Sequence, residues 1–372
     1  MRLRRLTIAG FRNLAAVTLD PAPRATVLVG ENGQGKTNLL ESVFFLTTLR
    51  PLRQARLAEL VRIGEERARV AGDFEGPGGT REVAVEISPA GRSALLDGKP
   101  QDRLDTYFEG LAAVAFTPDD LLLVKGGPEG RRRFLDRAAF NRWPAVLGEA
   151  RDYVKALRSR NAALRVEGPD ANDVEQSFRG PLVHAGARLL RRRRDVVAEL
   201  ALGLQGAFAR ISGPGAPTAR LAYRAAAGIP VTGGEDELAA RLDEVLAARL
   251  ARDRQRGFTS AGPHADDLTL ALDGHGARSF GSQGQQRALV LALKIAEIEN
   301  LRAALGRPPL LLLDDVSSEL DPAKNRFLLE YLAGLPGQAI LTTTDRRLLA
   351  PAAGPDTAFV AVEAGALRPL VS

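Results

Sequence analysis

One segment near the amino terminus combines residue types that bind phosphate. Residues Gly30-Glu31-Asn32-Gly33-Gln34-Gly35-Lys36-Thr37 fit the pattern G-x-x-x-x-G-K-[ST]. In this pattern backbone N–H groups surround phosphate oxygens, the Lys reaches the β- and γ-phosphates, and the Thr hydroxyl binds Mg²⁺. A strand-like stretch precedes the loop and a helical pattern follows, which places phosphate at a helix N-terminus, where anions are favoured. The segment predicts an ATP-binding loop in which Lys36 is catalytic and Thr37 a metal ligand.

A second segment supplies carboxylates. The apolar strand Leu310-Leu311-Leu312-Leu313 ends in Asp314-Asp315. Enzymes with a phosphate loop hold Mg²⁺ through an Asp at the end of such a core strand. We therefore expect Asp314 to be the metal carboxylate and Asp315 to orient or deprotonate the attacking water as a catalytic residue.

A third segment, Ser282-Gln283-Gly284-Gln285, stands immediately before a long helical pattern and 28 residues before Leu310. Taken alone, it is typical of an ordinary helix cap. ABC-type ATPases have the same order of segments. In them a short signature loop is followed by a helix, then by the carboxylate strand, and then by a D-loop, which here corresponds to Ser318-Glu319-Leu320-Asp321. These residues accordingly predict a signature loop at 282–285 and a D-loop containing Ser318 and Asp321.

Composition narrows the remaining chemistry. The 372 residues are 45% hydrophobic and 26% charged, as in a soluble globular protein. There is no Cys, which excludes thiolate chemistry, and the three His lack metal-ligand spacing, which argues against a transition-metal site and favours Mg²⁺. No secretory signal pattern and no membrane-length apolar run is visible, and we expect a cytoplasmic protein without a membrane partner.

The net charge is +6, and only six of the 51 basic residues are Lys. Arginine presents a planar fork that matches phosphate, so this balance suits nucleic acid, although an Arg-rich genome would produce the same composition.

The order of elements predicts the fold class. The pattern is β-rich, then helical, then β-rich again, which favours an α/β fold: an ABC-type P-loop ATPase head with an inserted helical lobe. We expect an ATPase domain formed by residues 1–116 and 257–372 and a mainly helical lobe over 117–256.

At this point the sequence resembles the RecF family of bacterial recombination-repair proteins, which are related to the SMC and Rad50 ATPase heads. The resemblance covers nearly the whole chain. It rests on the three segments above and on further stretches: Gly10-Phe11-Arg12-Asn13, Arg50 to Arg53, Thr117 to Leu121, Lys125 to Pro128, Arg131 to Asp136, Arg160 to Leu164, and Gly262-Pro263-His264 with Asp266-Asp267.

The resemblance implies that ATP lies between two subunits, so that dimerisation depends on ATP. Ser282 and Gly284 of one subunit then contact phosphate held by the other, and Asp321 lies at the dimer seam. Arg12 and Asn13 join the ATP-binding residues. Because Asp315 stands where the wider ABC family has Glu, we expect slow hydrolysis. The switch His of transporters is also absent, since this position reads Thr342-Thr343-Thr344-Asp345.

The resemblance further implies binding to gapped, single-stranded and double-stranded DNA, with the partner RecR, and with RecO and RecA downstream. The candidate phosphate contacts are Arg50, Arg53, Arg56, Arg62, Arg131 and Arg132.

The main alternative function is that of the nucleotide-binding subunit of an ABC transporter. Against it stand the missing His and the 246 positions from Lys36 to Ser282, more than a transporter's helical subdomain needs.

Overall fold

The computed structural model describes residues 1–76, 79–102, 104–352 and 354–370, leaving aside the side chains of residues 105, 318, 319 and 350–352. The chain divides into two compact units. Unit 1 comprises Met1–Asp120 and Glu297–Ser372, and unit 2 comprises Leu121–Ala296.

The described residues form fifteen strands. In chain order they are β1 Arg2–Phe11, β2 Leu14–Leu19, β3 Ala25–Val29, β4 Ala68–Gly76, β5 Gly79–Ser88, β6 Gly91–Leu96, β7 Lys99–Pro100, β8 Ala113–Phe116, β9 Ala219–Arg224, β10 Asp267–Leu272, β11 His275–Gly276, β12 Leu310–Asp314, β13 Ala339–Thr343, β14 Thr357–Glu363 and β15 Ala366–Leu370.

The same residues form thirteen α-helices. These are α1 Lys36–Thr48, α2 Leu57–Leu60, α3 Leu104–Phe108, α4 Leu122–Lys125, α5 Pro128–Arg142, α6 Val146–Ala163, α7 Ala171–Ser212, α8 Glu235–Ala248, α9 Leu250–Arg256, α10 Ala277–Phe280, α11 Gln283–Leu305, α12 Val316–Glu319 and α13 Pro322–Gly334. Short 3₁₀ turns occur at Pro118–Leu121, Ala226–Gly228, Pro263–Ala265 and Arg346–Ala352.

Unit 1 contains two six-stranded sheets. The first is antiparallel, in the order β2-β1-β4-β5-β6-β7. The second has the order β15-β14-β3-β13-β12-β8 and is parallel except for β15. Because β3, β12 and β13 run in the same direction, their carboxyl ends meet at one edge of the second sheet, where ligands bind in open α/β folds.

Helix α1 follows β3 and has contacts with strands of both sheets, among them β4 and β12. Nearly every residue of α1 is buried, so the helix lacks a polar face. The hydroxyls of Ser42, Thr47 and Thr48 bond to helix carbonyls, as Ser42 does to Leu39 O at 2.7 Å. The fully buried Glu41 carboxylate is paired with Arg12 at 3.0 Å and Arg53 at 3.5 Å. The phosphate loop is thus continuous with a core element, which holds its amide groups in place.

Unit 2 is built on the helices α5 to α9 and on a three-stranded antiparallel sheet in the order β11-β10-β9. The 42-residue helix α7 has contacts with α5, α6, α8 and β9. None of the helices in the described ranges is long and apolar enough to cross a membrane.

The second boundary of the sequence-based division differs from the structure. Residues 257–296 were expected in the ATPase domain, but they lie in unit 2. The reason is strand pairing: β10 pairs with β9, and the register runs from Asp267 opposite Arg224 to Leu272 opposite Ala219. The first boundary lies after residue 120 rather than after 116. Long-range pairing of this kind leaves no local mark in the sequence.

A buried ion network joins α6, α7 and α9 within unit 2. Arg160 is fully buried and donates to Glu175 at 2.7 Å, to Asp253 at 3.0 Å and to the Thr259 hydroxyl at 2.8 Å. Both carboxylates are also buried. The cation therefore compensates two buried anions at once.

Replacement of Arg160 by Met is expected to lower the free energy of unfolding by about 3 to 5 kcal/mol, because it leaves buried charge without a partner. Equilibrium urea unfolding, followed by the fluorescence of the single tryptophan, Trp143 in unit 2, measures the change. Arg158→Met removes an exposed guanidinium from the same helix and should change stability by no more than about 0.5 kcal/mol. Equal effects of the two substitutions would contradict the prediction.

Candidate nucleotide-binding site

The predicted phosphate loop connects β3 to α1, as expected. Its last glycine, Gly35, has a φ of +112°, a conformation that side-chain-bearing residues rarely adopt. A Cβ atom at this position would also lie 2.9 Å from the Asn13 amide nitrogen. Gly35 is therefore required both by the backbone turn and by the close packing beneath it.

Lys36 is held over the loop by two carbonyl groups. Its Nζ donates to the backbone oxygens of Gly30 at 2.6 Å and Glu31 at 2.9 Å. An ammonium group has three donors, so one N–H remains for a phosphate oxygen. The side chain is buried, which lowers the pKa of Lys36, while nearby Asp315 and Asp314 act in the opposite direction. This arrangement positions a cation at the loop.

Three oxygen-bearing side chains meet at the carboxyl edge of the parallel sheet. Thr37 Oγ1 donates to Asp314 Oδ1 at 2.8 Å, and Thr342 Oγ1 donates to the same oxygen at 2.9 Å. Burial raises the pKa of Asp314, while these two hydrogen bonds oppose the rise. The structure thus brings together the two predicted metal ligands, which are 277 positions apart in the chain.

Thr342 was not among the predicted site residues. It is the penultimate residue of β13, beside Asp314, and also accepts the backbone N–H of Asp315 at 2.9 Å. The sequence contained one usable signal, since a polar run follows directly after the short apolar stretch at 339–341. Without the parallel pairing of β12 with β13, however, that signal does not indicate which residue faces Asp314.

The loop is also fastened to the hairpin between β14 and β15. The Gln34 carbonyl accepts the Gly365 N–H at 2.8 Å, and its side-chain oxygen accepts the Ala364 N–H at 2.6 Å. This contact was missed by sequence reasoning, because only the tertiary structure brings residues 364 and 365 to the loop.

Arg12 and Asn13 form the turn between β1 and β2, directly beside the loop. The Asn13 amide donates to the Gln34 carbonyl at 3.3 Å and accepts from Asn38 at 2.8 Å. Arg12 donates to Glu41 at 3.0 Å and to the Glu59 carbonyl at 2.8 Å. Both residues are therefore near the loop, and their contact with nucleotide stays a prediction.

Asp315 follows the metal carboxylate in the left-handed conformation, with a φ of +47°. Its backbone is fixed in this turn by the bond to Thr342 described above. Because of this turn, the side chain of Asp315 does not follow the alternating in-and-out pattern of the residues in β12. Its catalytic role stays a prediction.

The predicted signature loop lies at the start of α11 in unit 2. Ser282 and Gln285 form a reciprocal capping pair: the Ser282 N–H donates to Gln285 Oε1 at 2.8 Å, and the Gln285 N–H donates to Ser282 Oγ at 3.2 Å. Ser282 and Gln283 are exposed. The Gln286 amide donates to the carbonyls of Ala277 at 3.1 Å and Gly281 at 3.0 Å, which fixes the approach to the helix. The result is a rigid, exposed helix N-terminus.

The predicted D-loop spans the end of α12 and the start of α13. Asp321 caps α13 by accepting the Lys324 N–H at 3.0 Å, and its carboxylate also pairs with the Lys324 ammonium. The side chain of Ser318 lies outside the described residues.

The candidate DNA-contacting arginines of unit 1 lie between α1 and β4. Arg56 is exposed and Arg50 is half-buried. Arg62 forms an ion pair with Glu65 at 3.9 Å, and Arg53 donates to Asn38 Oδ1 at 2.9 Å. These residues are available at the surface, and their contact with DNA stays a prediction.

The two candidates of unit 2 are different. Arg131 donates to both carboxylate oxygens of Asp267, at 2.6 and 3.0 Å, and to the carbonyl of Gly126 at 2.8 Å. Its side chain is only 11% exposed. These bonds use donors that phosphate would need, and the contact of Arg131 with DNA stays a prediction. Arg132 donates to the Asp266 carbonyl at 2.8 Å and stays a candidate.

The chain is similar to known proteins over nearly its whole length. The family model described as RecF/RecN/SMC N terminal domain matches residues 2–363. A DNA replication and repair protein RecF from Anaeromyxobacter sp. (strain Fw109-5) is 74% identical, with all of both chains covered. The chain belongs to the RecF family. A RecF from Myxococcus xanthus (strain DK1622) is 54% identical over 98% of this chain and 96% of the relative.

Solved structures agree with the family. The recombination mediator protein RecF-ATPrS in the RecFOR pathway superposes with a TM-score of 0.90, at 27% identity, over 100% of this chain and 98% of that chain. RecF-ATP in the same pathway gives 0.89, at 28% identity, over 99% and 97%. The Smc head domain of Pyrococcus furiosus bound to the C-terminal domain of ScpA gives 0.55 at 16% identity, over 99% and 95%, which shows a common fold only. The predicted ABC-type ATPase head fold is confirmed.

Proposed function

We propose that this RecF-family chain is a DNA-repair ATPase that dimerises on ATP and binds DNA at single-strand gaps. The observation that carries the proposal is the meeting of Thr37, Asp314 and Thr342 at the end of the phosphate loop. A purely structural turn has no use for a cation, a buried carboxylate and two hydroxyls at the N-terminus of a core helix. A nucleoside triphosphate bound with Mg²⁺ uses such groups to hold its phosphates and its metal ion.

The donor set fits Mg²⁺, because Thr37 Oγ1 and Asp314 Oδ1 are hard oxygen ligands that lie 2.8 Å apart. Bound Mg²⁺ would offset the negative charge of the phosphate oxygens. Lys36 would neutralise charge on the β- and γ-phosphates, and the amide groups of the loop would orient them. Asp315 would accept a proton from the water that attacks the γ-phosphorus as the bond to the β-phosphate oxygen breaks. Its short side chain supports slow turnover.

The signature residues support a shared site. Ser282 and the first amides of α11 form an exposed N-terminus that is suited to an anion. We propose that this terminus closes over the γ-phosphate held by the loop of a second copy, with Gln283, Gly284 and Asp321 at the seam. Contacts made only while the γ-phosphate is present would let ATP shift the balance from monomer to dimer.

We propose that the DNA contacts Arg50, Arg53, Arg56, Arg62 and Arg132. The proposed partners are RecR, RecO and RecA. Contacts of this kind to the phosphate backbone would give little base specificity, and the affinity for DNA would depend steeply on salt.

The transporter alternative is not supported, because the relatives at 74% and 54% identity are DNA replication and repair proteins.

Sedimentation velocity with and without ATP and gapped duplex DNA tests the proposal. We expect a monomer without nucleotide, a dimer with ATP, and a larger DNA complex with ATP than with ADP. The variant Lys36→Arg serves as the control, because it keeps the charge but alters its geometry. The proposal fails if ATP produces no dimer, or if DNA changes neither the assembly nor ATP turnover.

A further inference from the structure

The outer face of α6 carries a row of basic side chains. Arg151, Lys155 and Arg158 are all exposed. They are separated by four and three positions, which places them on one side of a helix. Asp152 is exposed on the same helix, about 100° from Arg151 and three positions before Lys155, so it borders the row on one side. Over residues 151–158, three basic side chains and one carboxylate leave an excess of two positive charges.

In the part of the chain that the structure describes, none of the three basic side chains of the row forms an ion pair with a carboxylate. The most basic run of the sequence, residues 191–194, behaves in the opposite way. Its members pair with carboxylates, which are Glu235 for Arg191, Glu149 for Arg192, Asp136 for Arg193 and Asp195 for Arg194. The arginines of residues 191–194 are thus paired within unit 2, whereas the three basic side chains of the row are not.

The inner face of α6 is rigidly held. The Tyr153 hydroxyl bonds to His264 Nδ1 at 2.6 Å, and Arg160 is fixed by the buried carboxylates of Glu175 and Asp253. The basic row is consequently mounted on a fixed scaffold, so little order has to be imposed on the helix when a ligand binds.

We propose that the row formed by Arg151, Lys155 and Arg158 binds the phosphate backbone of duplex DNA. From Arg151 to Arg158 the row extends over seven residue steps of helix, about 10 Å. One strand of a duplex presents about three phosphates over the same length of its axis, at about 3.4 Å each. The row thus carries about as many cations as one strand carries phosphates over the same length of the duplex axis.

The surroundings of the row favour a duplex over a single strand. Proteins that hold single strands interleave basic groups with aromatic side chains, on which the bases stack. The only aromatic residue of α6, Tyr153, is buried, and the exposed neighbours of the row include Val154 and Ala162. The contact would therefore be made to phosphate and would not read sequence.

The inference rests on the proposed function, since it assigns a second contact to the same DNA. The test compares two double variants with the same loss of charge, Lys155→Gln with Arg158→Gln and Arg210→Gln with Arg220→Gln. Arg210 and Arg220 are also exposed residues of unit 2 without an ion pair among the described residues. Binding to a fluorescent gapped duplex is measured by anisotropy with ATP at several salt concentrations.

The α6 variant is expected to bind about tenfold more weakly at low salt, and its slope of log K against log salt should be shallower by about 2, one unit for each lost phosphate contact. The control variant should match the parent protein. Equal weakening of both variants would show that net charge alone governs binding and would overturn the proposal. An unchanged slope in the α6 variant would also overturn it and would leave the row to an acidic protein surface.

Failure of the proposed function is distinguishable from failure of this inference. If the parent protein neither dimerises with ATP nor binds the duplex, the proposed function fails. If the parent does both and the α6 variant is indistinguishable from it, only the inference about α6 fails. Dimerisation with ATP should be retained in both double variants, which shows that they are folded.

Discussion

Replacing Lys36 with Ala is expected to weaken ATP binding about 100-fold, because it removes a charge-assisted bond worth up to about 3 kcal/mol. Two of the three ammonium donors are already committed to the carbonyls of Gly30 and Glu31, which aims the third at the phosphates. The loop would keep its amide groups but lose its only fixed cation among the eight residues from Gly30 to Thr37. Isothermal titration with ATP and Mg²⁺ measures the change.

The control for this substitution concerns folding. Lys36 is buried, so its loss could also relax the loop. Thermal unfolding by circular dichroism should give a transition close to that of the parent protein, and Lys36→Arg should show intermediate ATP affinity. An ATP affinity of Lys36→Ala within about threefold of the parent, a difference of only about 0.7 kcal/mol, would contradict the assigned role.

Replacing Ser282 with Arg is expected to abolish ATP-dependent dimerisation while leaving ATP binding by the single chain intact. The exposed start of α11 presents the Ser282 hydroxyl, and a bulky side chain there would block the approach of a partner's phosphates. The dimer should weaken by at least about 100-fold, the range seen when a central interface contact is lost. Sedimentation velocity reports the dimer, and titration with ATP reports binding by the monomer.

Two further variants separate the possible causes. Ser282→Asp keeps an oxygen that can cap α11, so the helix should be retained, but its negative charge would repel the γ-phosphate, and dimerisation should again be lost. Ser177→Arg places the same bulky cation on an exposed position of α7 in unit 2 and should leave the dimer unchanged. Loss of ATP binding by monomeric Ser282→Arg would count against a contact made in trans.

The two substitutions act on opposite halves of the proposed shared site. Lys36 acts on the chain that holds ATP, and Ser282 acts on the chain that closes over it. An equimolar mixture of the two variants should therefore restore one of the two composite sites. A shared site predicts partial recovery of the dimer in the mixture, although neither variant dimerises alone. A site contained within one chain predicts no recovery.

Much of the site was predictable because its chemistry is encoded locally. A run of glycines ending in Lys36-Thr37, an apolar strand ending in Asp314, and Ser282 three residues before Gln285 each specify a turn, a strand end or a cap from neighbouring residues. The strand, loop and helix around the phosphate loop lie where the sequence placed them, and so does the strand before Asp314. Such segments fold as local patterns dictate, because the residues that determine them are adjacent in the chain.

What the sequence by itself determined, then, is the nucleotide chemistry and the α/β class of the fold. Only the tertiary structure decided which distant residues serve it: Thr342 reaches Asp314 through the pairing of β12 with β13, and residues 257–296 join unit 2 through the pairing of β10 with β9. The tertiary structure also decided which arginines are paired, since Arg131 forms an ion pair with Asp267 whereas Arg158 stays exposed. The physical reason is the same in each case. A charge or hydroxyl acquires its role from the partner across the fold, and partners distant in the chain leave no local pattern.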